Sequence, residues 1–152
     1  MAATVSLALP GAAARYGDAG RDSARSDPDQ AMRYLDRAAD LNTLDPDPLI
    51  SRAVIARDQG DVDTARRDLE AALEREERNW FAHFELGLLA AVGRDAEGAL
   101  AALRRARELN PRQPLIAEVT EAVRAGRRIN AAEVERRLYS QLASKLSPVE
   151  AN

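Results

Sequence analysis

The chain is 152 residues long, enough for one domain or a short repeat array with its own core, so neither disulfides nor structural metal are needed for stability. It has no cysteine and one histidine, His83, which excludes a disulfide framework, a thiolate zinc site, a cysteine nucleophile and a histidine-rich metal site. The net charge of −3 divides unevenly, with 16 acidic against 11 basic side chains over 1–79 and 9 against 11 over 80–152, and neither half has the dense basic field that nucleic acid requires.

Residues 2–14 are small and apolar around Val5-Ser6-Leu7-Ala8-Leu9 and are broken by Pro10 and Gly11. The stretch is far short of the roughly 20 residues of a membrane-spanning helix. It lacks the positive start of a signal peptide, although Ala12-Ala13-Ala14 mimics a cleavage site. Three readings stand: a disordered tail, the truncated end of a transmembrane helix, or a weak signal peptide. Residues 1–11 are accordingly a tail or a membrane-helix stub. A marginal helix is expected over 12–25, where Gly17 and Gly20 each weaken it by roughly 1 kcal/mol relative to alanine.

The next boundaries are better marked. Asp27-Pro28-Asp29-Gln30 joins an N-cap, a proline at the first helical position and a capping-box glutamine, and opens a helix over 28–42. Asp47-Pro48 opens 48–59. Gly60-Asp61 ends that helix and caps 62–76, and Asn79-Trp80 opens 80–92. Gly93-Arg94-Asp95 supplies a glycine stop and an aspartate cap before 96–109. Asn110-Pro111 closes that helix, Gln113-Pro114 opens 114–125, and Asn130 with Glu133 forms a capping box at the start of 130–146.

A period of 34 residues runs through these helices. Ala31, Ala65 and Ala99 are in phase, as are Leu35, Leu69 and Leu103, and Ala38, Ala72 and Ala106. Their steps of four and three put them on one helical face. Ala53 pairs with Gly87, Ala56 with Ala90, Ile50 with Phe84 and Val54 with Leu88, and the small residue lets a neighbouring helix approach closely.

Residues 80–111 carry Trp80, Leu86, Gly87, Ala90, Ala99, Leu103, Ala106 and Pro111 at spacings that resemble a tetratricopeptide repeat. Residues 46–79 depart from the pattern, with Arg52 in the place of Leu86 and Glu77 in that of Pro111, and 12–45 match mainly in their second helix. The resemblance implies an all-α, right-handed helical-hairpin solenoid: repeats over 12–113 (a degenerate unit at 12–45, then 46–79 and 80–113), followed by a capping helix pair and tail over 114–152. The cap is amphipathic through Leu115, Ile116, Val119, Ala122 and Val123, then Val134, Leu138, Leu142 and Leu146. A second, weaker resemblance joins Asn79-Trp80-Phe81-Ala82-His83-Phe84-Glu85-Leu86-Gly87 and Leu109-Asn110-Pro111-Arg112 to the C-terminal repeat tail of bacterial O-antigen ligase-type membrane proteins. It implies attachment to a membrane domain outside this chain, with the chemistry in that domain.

Candidate chemistry is sparse. His83 precedes Phe84 on the best repeat and reads as a packing or hydrogen-bonding residue; a hydrolytic triad would need a serine on a strained turn, and no Gly-x-Ser-x-Gly is present. Asp58-Gln59-Gly60-Asp61-Val62-Asp63 resembles a cation loop but is too short for the calcium-binding type, and reads as a turn with a cap. Arg124, Arg127, Arg128, Arg136 and Arg137 are a solvated face, or a surface for an acidic partner or anionic lipid.

In tetratricopeptide proteins the first helix of each repeat lines the concave surface. Carried over, the resemblance places Asp47, Ile50, Val54, Arg57 and Asp58 there from one unit and Phe81, Phe84, Glu85, Leu88 and Val92 from the next, with Leu115 beside them. Family members that clamp an acidic tail carry Lys and Asn on these faces; Ile50, Val54, Phe84 and Leu88 stand there instead. The expected function is a non-catalytic protein-interaction scaffold, without cofactor or metal. Its partner is a protein or peptide with an apolar or amphipathic segment, bound by Ile50, Val54, Phe81, Phe84, Glu85, Leu88, Val92 and Leu115. The alternatives are a homodimerisation module or the soluble tail of a ligase-type glycosyltransferase; nucleic acid is not an expected partner. An open stripe would let Phe84→Glu abolish capture or dimerisation yet keep the helical signal. The alternative is that these side chains are inter-repeat core or are covered by the protein's own termini, and if Phe84 is core Phe84→Glu unfolds the domain. A single lysine, Lys145, against 21 arginines and 31 alanines points to a GC-rich bacterial genome, with the location either cytoplasmic or membrane-associated outside the cytoplasm.

Overall fold

A computed structural model describes residues 8–146 of the chain. It forms eight helices over that span: α1 (Ala8–Ser23), α2 (Pro28–Leu41), α3 (Asp47–Asp58), α4 (Val62–Arg75), α5 (Trp80–Val92), α6 (Ala96–Leu109), α7 (Pro114–Arg124) and α8 (Ala131–Leu146). Residues 1–7 of the expected tail lie outside the described residues, while Ala8–Gly11 already belong to α1. No described helix is long and apolar enough to cross a membrane.

The 34-residue period is a period of caps as well as of core residues. Asp27, Asp61 and Asp95 each accept a hydrogen bond from the amide three residues on, at Gln30, Thr64 and Gly98, and so begin α2, α4 and α6 in the same way. Asp45, Asn79 and Gln113 are likewise 34 apart. Their side chains accept from the amides of Asp47, Ala82 and Leu115 at the starts of α3, α5 and α7. The expected Asp47 cap is therefore two residues late: Asp47 is the first helical residue and Asp45 the acceptor. At the far ends, the amides of Asn42, Glu76 and Asn110 bond back to the carbonyls of Ala38, Ala72 and Ala106.

The turn inside a hairpin also recurs. Gly60, Arg94 and Gly126 adopt positive φ of 83°, 61° and 64°. The amide of the following residue reaches back five residues, from Asp61 to Ala56, Asp95 to Ala90 and Arg127 to Ala122. This is the Schellman closure, which turns the chain by placing one residue in the left-handed region. Gly93 is not that residue, contrary to expectation. Its φ is −72°, and the left-handed position falls to Arg94, the counterpart of Gly60.

Helices α1–α2, α3–α4 and α5–α6 pair as hairpins. The nine in-phase residues of α2, α4 and α6 are buried to 2% exposure or less. Glycine sets the closest approaches: a Cβ on Gly87 would stand 2.7 Å from Leu103 Cγ, and one on Gly20 2.5 Å from Leu35 Cγ. Gly20 is thus a packing residue of α1 rather than a flaw in it. The departure at Arg52 is compensated. Its Nε lies 3.2 Å from Asp68 Oδ2 and its Nη1 2.7 Å from Asp36 Oδ1, so an ion-paired bridge stands where α5 and α6 have Leu86 and Ala102.

Helix α7 packs on α6, but α8 then turns back. It lies against α5, and its Ala131 and Leu138 join Phe84, Leu88, Leu115, Ile116, Val119 and Val123 in one apolar cluster. The side chains of Leu142 and Leu146, expected on the same stripe, lie outside those described.

Candidate functional site

The first helices of two adjacent hairpins, α3 and α5, present the face expected to bind. Of its residues, Ile50 is buried in the inter-repeat core with Leu49, Ala53, Leu69 and Leu89. Phe84, Leu88 and Leu115 are fully buried, and Glu85 is 1% exposed. Val54 and Phe81 are half-buried, and Val92 is exposed. Trp80 flanks the stripe, its ring 5.6 Å from that of Phe81 and 6.3 Å from that of Phe84. An open apolar stripe is therefore not what the folded chain presents. Helix α8 covers the α5 part of it, because Ala131 and Leu138, seven residues apart, fall on one side of that helix and bury themselves there.

A buried charge cluster fixes the position of α8. Arg57 on α3 reaches Glu85 on α5 with Nη1 2.6 Å from Oε2, and Glu135 on α8 with Nη2 2.6 Å from Oε1. Asp58 adds an exposed carboxylate 2.9 Å from Nη2. One guanidinium thus gathers carboxylates from three helices. Burial works against the Arg57 charge, but Glu85 and Glu135 more than offset it and hold the group protonated. Glu85 is raised well above the ordinary glutamate range, first by burial and then by the charge of Glu135, with Arg57 acting in the opposite sense. Its Oε1 is buried without a hydrogen-bond partner. Arg57 and Glu85 were expected on this face. Glu135 was not, and its only signal in the sequence is a carboxylate directly following Val134 on the apolar stripe of α8.

Elsewhere the polar candidates have structural partners. His83 Nε2 lies 3.0 Å from the carbonyl oxygen of Glu77, so the imidazole ties α5 to the turn before it. Asp61 of the suspected cation loop caps α4. Among the described residues, no group of three or more His, Cys, Asp or Glu side chains is placed to hold a metal ion.

Residues 50–114, from α3 to the first residue of α7, match the family described as Tetratricopeptide repeat. The tetratricopeptide domain of OM64 from Arabidopsis shares the fold with a TM-score of 0.72 at 18% identity, over 78% of this chain and 98% of that one. The first such domain of Spaghetti (RPAP3), solved bound to the HSP90 peptide SRMEEVD, does so with a TM-score of 0.71 at 16% identity, over 76% and 93%. No curated protein sequence matches the chain. The 34-residue phase of caps and core, the family match over residues 50–114 and the two shared folds agree: the chain has a tetratricopeptide-repeat fold.

Proposed function

We propose that the chain is a protein-interaction scaffold without chemistry of its own, whose concave face seats an amphipathic helix bearing one acidic side chain. The observation that carries the reading is α8. Its Ala131 and Leu138 join Phe84 and Leu88 in one apolar cluster, and its Glu135 engages Arg57. A partner helix with the same spacing of apolar and acidic residues would make the same contacts once α8 moved aside, in the manner of a helix laid in a groove. Ile50, Val54, Phe81, Glu85, Val92 and Leu115 border or support that seat. A second copy of the chain offers an identical helix, so exchange of α8 between two molecules about the 125–130 connection is the route to a homodimer on this reading.

The test uses the full chain carrying Leu138→Glu, which releases its own α8, and a labelled peptide of residues 130–146. Fluorescence anisotropy should show the variant binding the peptide, and wild type binding it far more weakly. A peptide with the same Leu138→Glu change should bind about ten- to a hundredfold less well, the worth of one buried leucine. A variant that stays folded and ignores the peptide would refute the seat. The membrane-attached alternative is tested separately, by whether the natural gene continues upstream of Met1 into hydrophobic spans.

A further inference from the structure

The arginines crowded into 124–137 divide into two groups. Arg124 pairs with Glu121, Arg136 with Glu133 and Arg137 with Glu118. Arg127 and Arg128 pair with no carboxylate among the described residues, and both line a cleft of about 500 Å³ together with Arg94. That is within the size range of pockets that enclose a drug-sized ligand. The walls between the arginines are apolar, with Val92 at the end of α5, Val123 at the end of α7 and Ile129 before α8, and no acidic side chain lines the cleft. Val92 is 47% exposed, the most open member of the expected binding stripe.

Arg94 adds an independent observation. Its φ of 61° is a conformation that L side chains rarely adopt, and the equivalent position one repeat earlier is held by Gly60. The turn is the same in both repeats, so the arginine is not there for the backbone. It is one of the residues that line the cleft. An uncommon backbone state retained at the rim of a cavity points to a use for that side chain.

We propose that this cleft binds an acidic peptide segment of a partner protein. Its carboxylates engage Arg94, Arg127 and Arg128, and an apolar side chain lies against Val92 and Ile129. The planar guanidinium fork matches a carboxylate in a bidentate way, and the apolar walls favour a segment with a side chain to bury over a bare anion. The choice of a protein segment as occupant rests on the scaffold reading, but the cleft is built from the ends of α5 and α7 and is tested apart from the helix seat.

The probe is a fluorescein-labelled hexapeptide alternating glutamate and leucine, titrated into the full chain by anisotropy at physiological salt. The double variant Arg127→Glu/Arg128→Glu should weaken binding by about tenfold or more, and Arg94→Gly should weaken it while leaving the fold intact. Arg104→Glu/Arg107→Glu, an equal charge change on the exposed face of α6, should leave binding unchanged. Equal loss in this control would show general charge attraction and overturn the proposal. So would equal binding of a glutamate–serine hexapeptide, full competition by inorganic phosphate, or no binding of the probe. Seating of the 130–146 peptide should survive Arg127→Glu/Arg128→Glu in the Leu138→Glu background, which separates failure of the cleft from failure of the helix seat.

Discussion

At Gly87 two physical effects of opposite sign meet. Helix propensity favours alanine over glycine by about 1 kcal/mol. Packing opposes it, because the new Cβ would stand 2.7 Å from Leu103 Cγ and 3.4 Å from the Leu103 amide nitrogen. Overpacking a core costs about 1–3 kcal/mol, so Gly87→Ala should lower stability and the melting temperature. Gly11→Ala, where nothing lies within 4 Å, should be neutral or stabilising. Thermal unfolding of both variants decides the matter; Gly87→Ala melting at or above wild type would show that Leu103 yields. The small residue at position 87 was legible from its 34-residue phase with Ala53. Gly20 was not, since propensity counts only the local cost of a glycine and the contact with Leu35 is tertiary. Arg94 is a similar case: the dipeptide Gly93-Arg94 draws attention to the glycine, while the repeat phase, followed strictly from Gly60, leads to the arginine.

At the scale of the element, α8 is held by a cluster whose charge depends on pH. Facing Glu85 are Arg57 and Asp58 from α3, and Glu135 and Tyr139 from α8. An unfolded Glu85 titrates near 4.5, and the folded one retains its proton to higher pH. The native state therefore binds more protons than the unfolded chain over that window. Its contribution to stability is fully present below the unfolded value and is lost as pH rises through the folded one. We expect wild type to lose stability as pH rises above the unfolded value of 4.5. Glu85→Gln keeps an amide oxygen for Arg57 but has no proton to lose, and it should flatten that decline. Denaturant midpoints over a pH series above the unfolded value measure the effect, and parallel profiles for the two proteins would assign the pH dependence to other groups. The identity of α8 as an amphipathic helix was legible from Val134 and Leu138 alone. Its path was not, because it depends on the turn at Gly126 and on an ion pair linking Arg57 to Glu135, 78 positions away in the chain.

For the molecule as a whole, the hairpins and α8 stand in an unequal relation. The three hairpins close through their own caps, with glycine contacts in the first and third; the clusters of the first two contain no residue of α8, and only the third shares its cluster with Ala131 and Leu138. Helix α8 has no hairpin partner and depends on the surface they provide. Two glutamate substitutions in the same apolar cluster should therefore behave differently. Leu138→Glu puts a charge on α8, which can leave; the hairpins should stay folded, with circular dichroism falling by about the share of one helix and dye-binding apolar surface exposed. Phe84→Glu puts a charge on α5 in a cluster that α6 and α7 share with α8, so the departure of α8 alone does not free it, and burying an unpaired carboxylate is prohibitive. The loss of the phenylalanine side chain alone costs about 3–5 kcal/mol, a large part of the stability of a domain this size. Phe84→Glu should thus unfold the protein cooperatively rather than preserve its helical signal, which replaces the expectation drawn from an open stripe. Far-ultraviolet dichroism and urea titration of both variants give the comparison. Equal helical content in the two would mean that α8 carries the hairpins, and the order of dependence would be reversed.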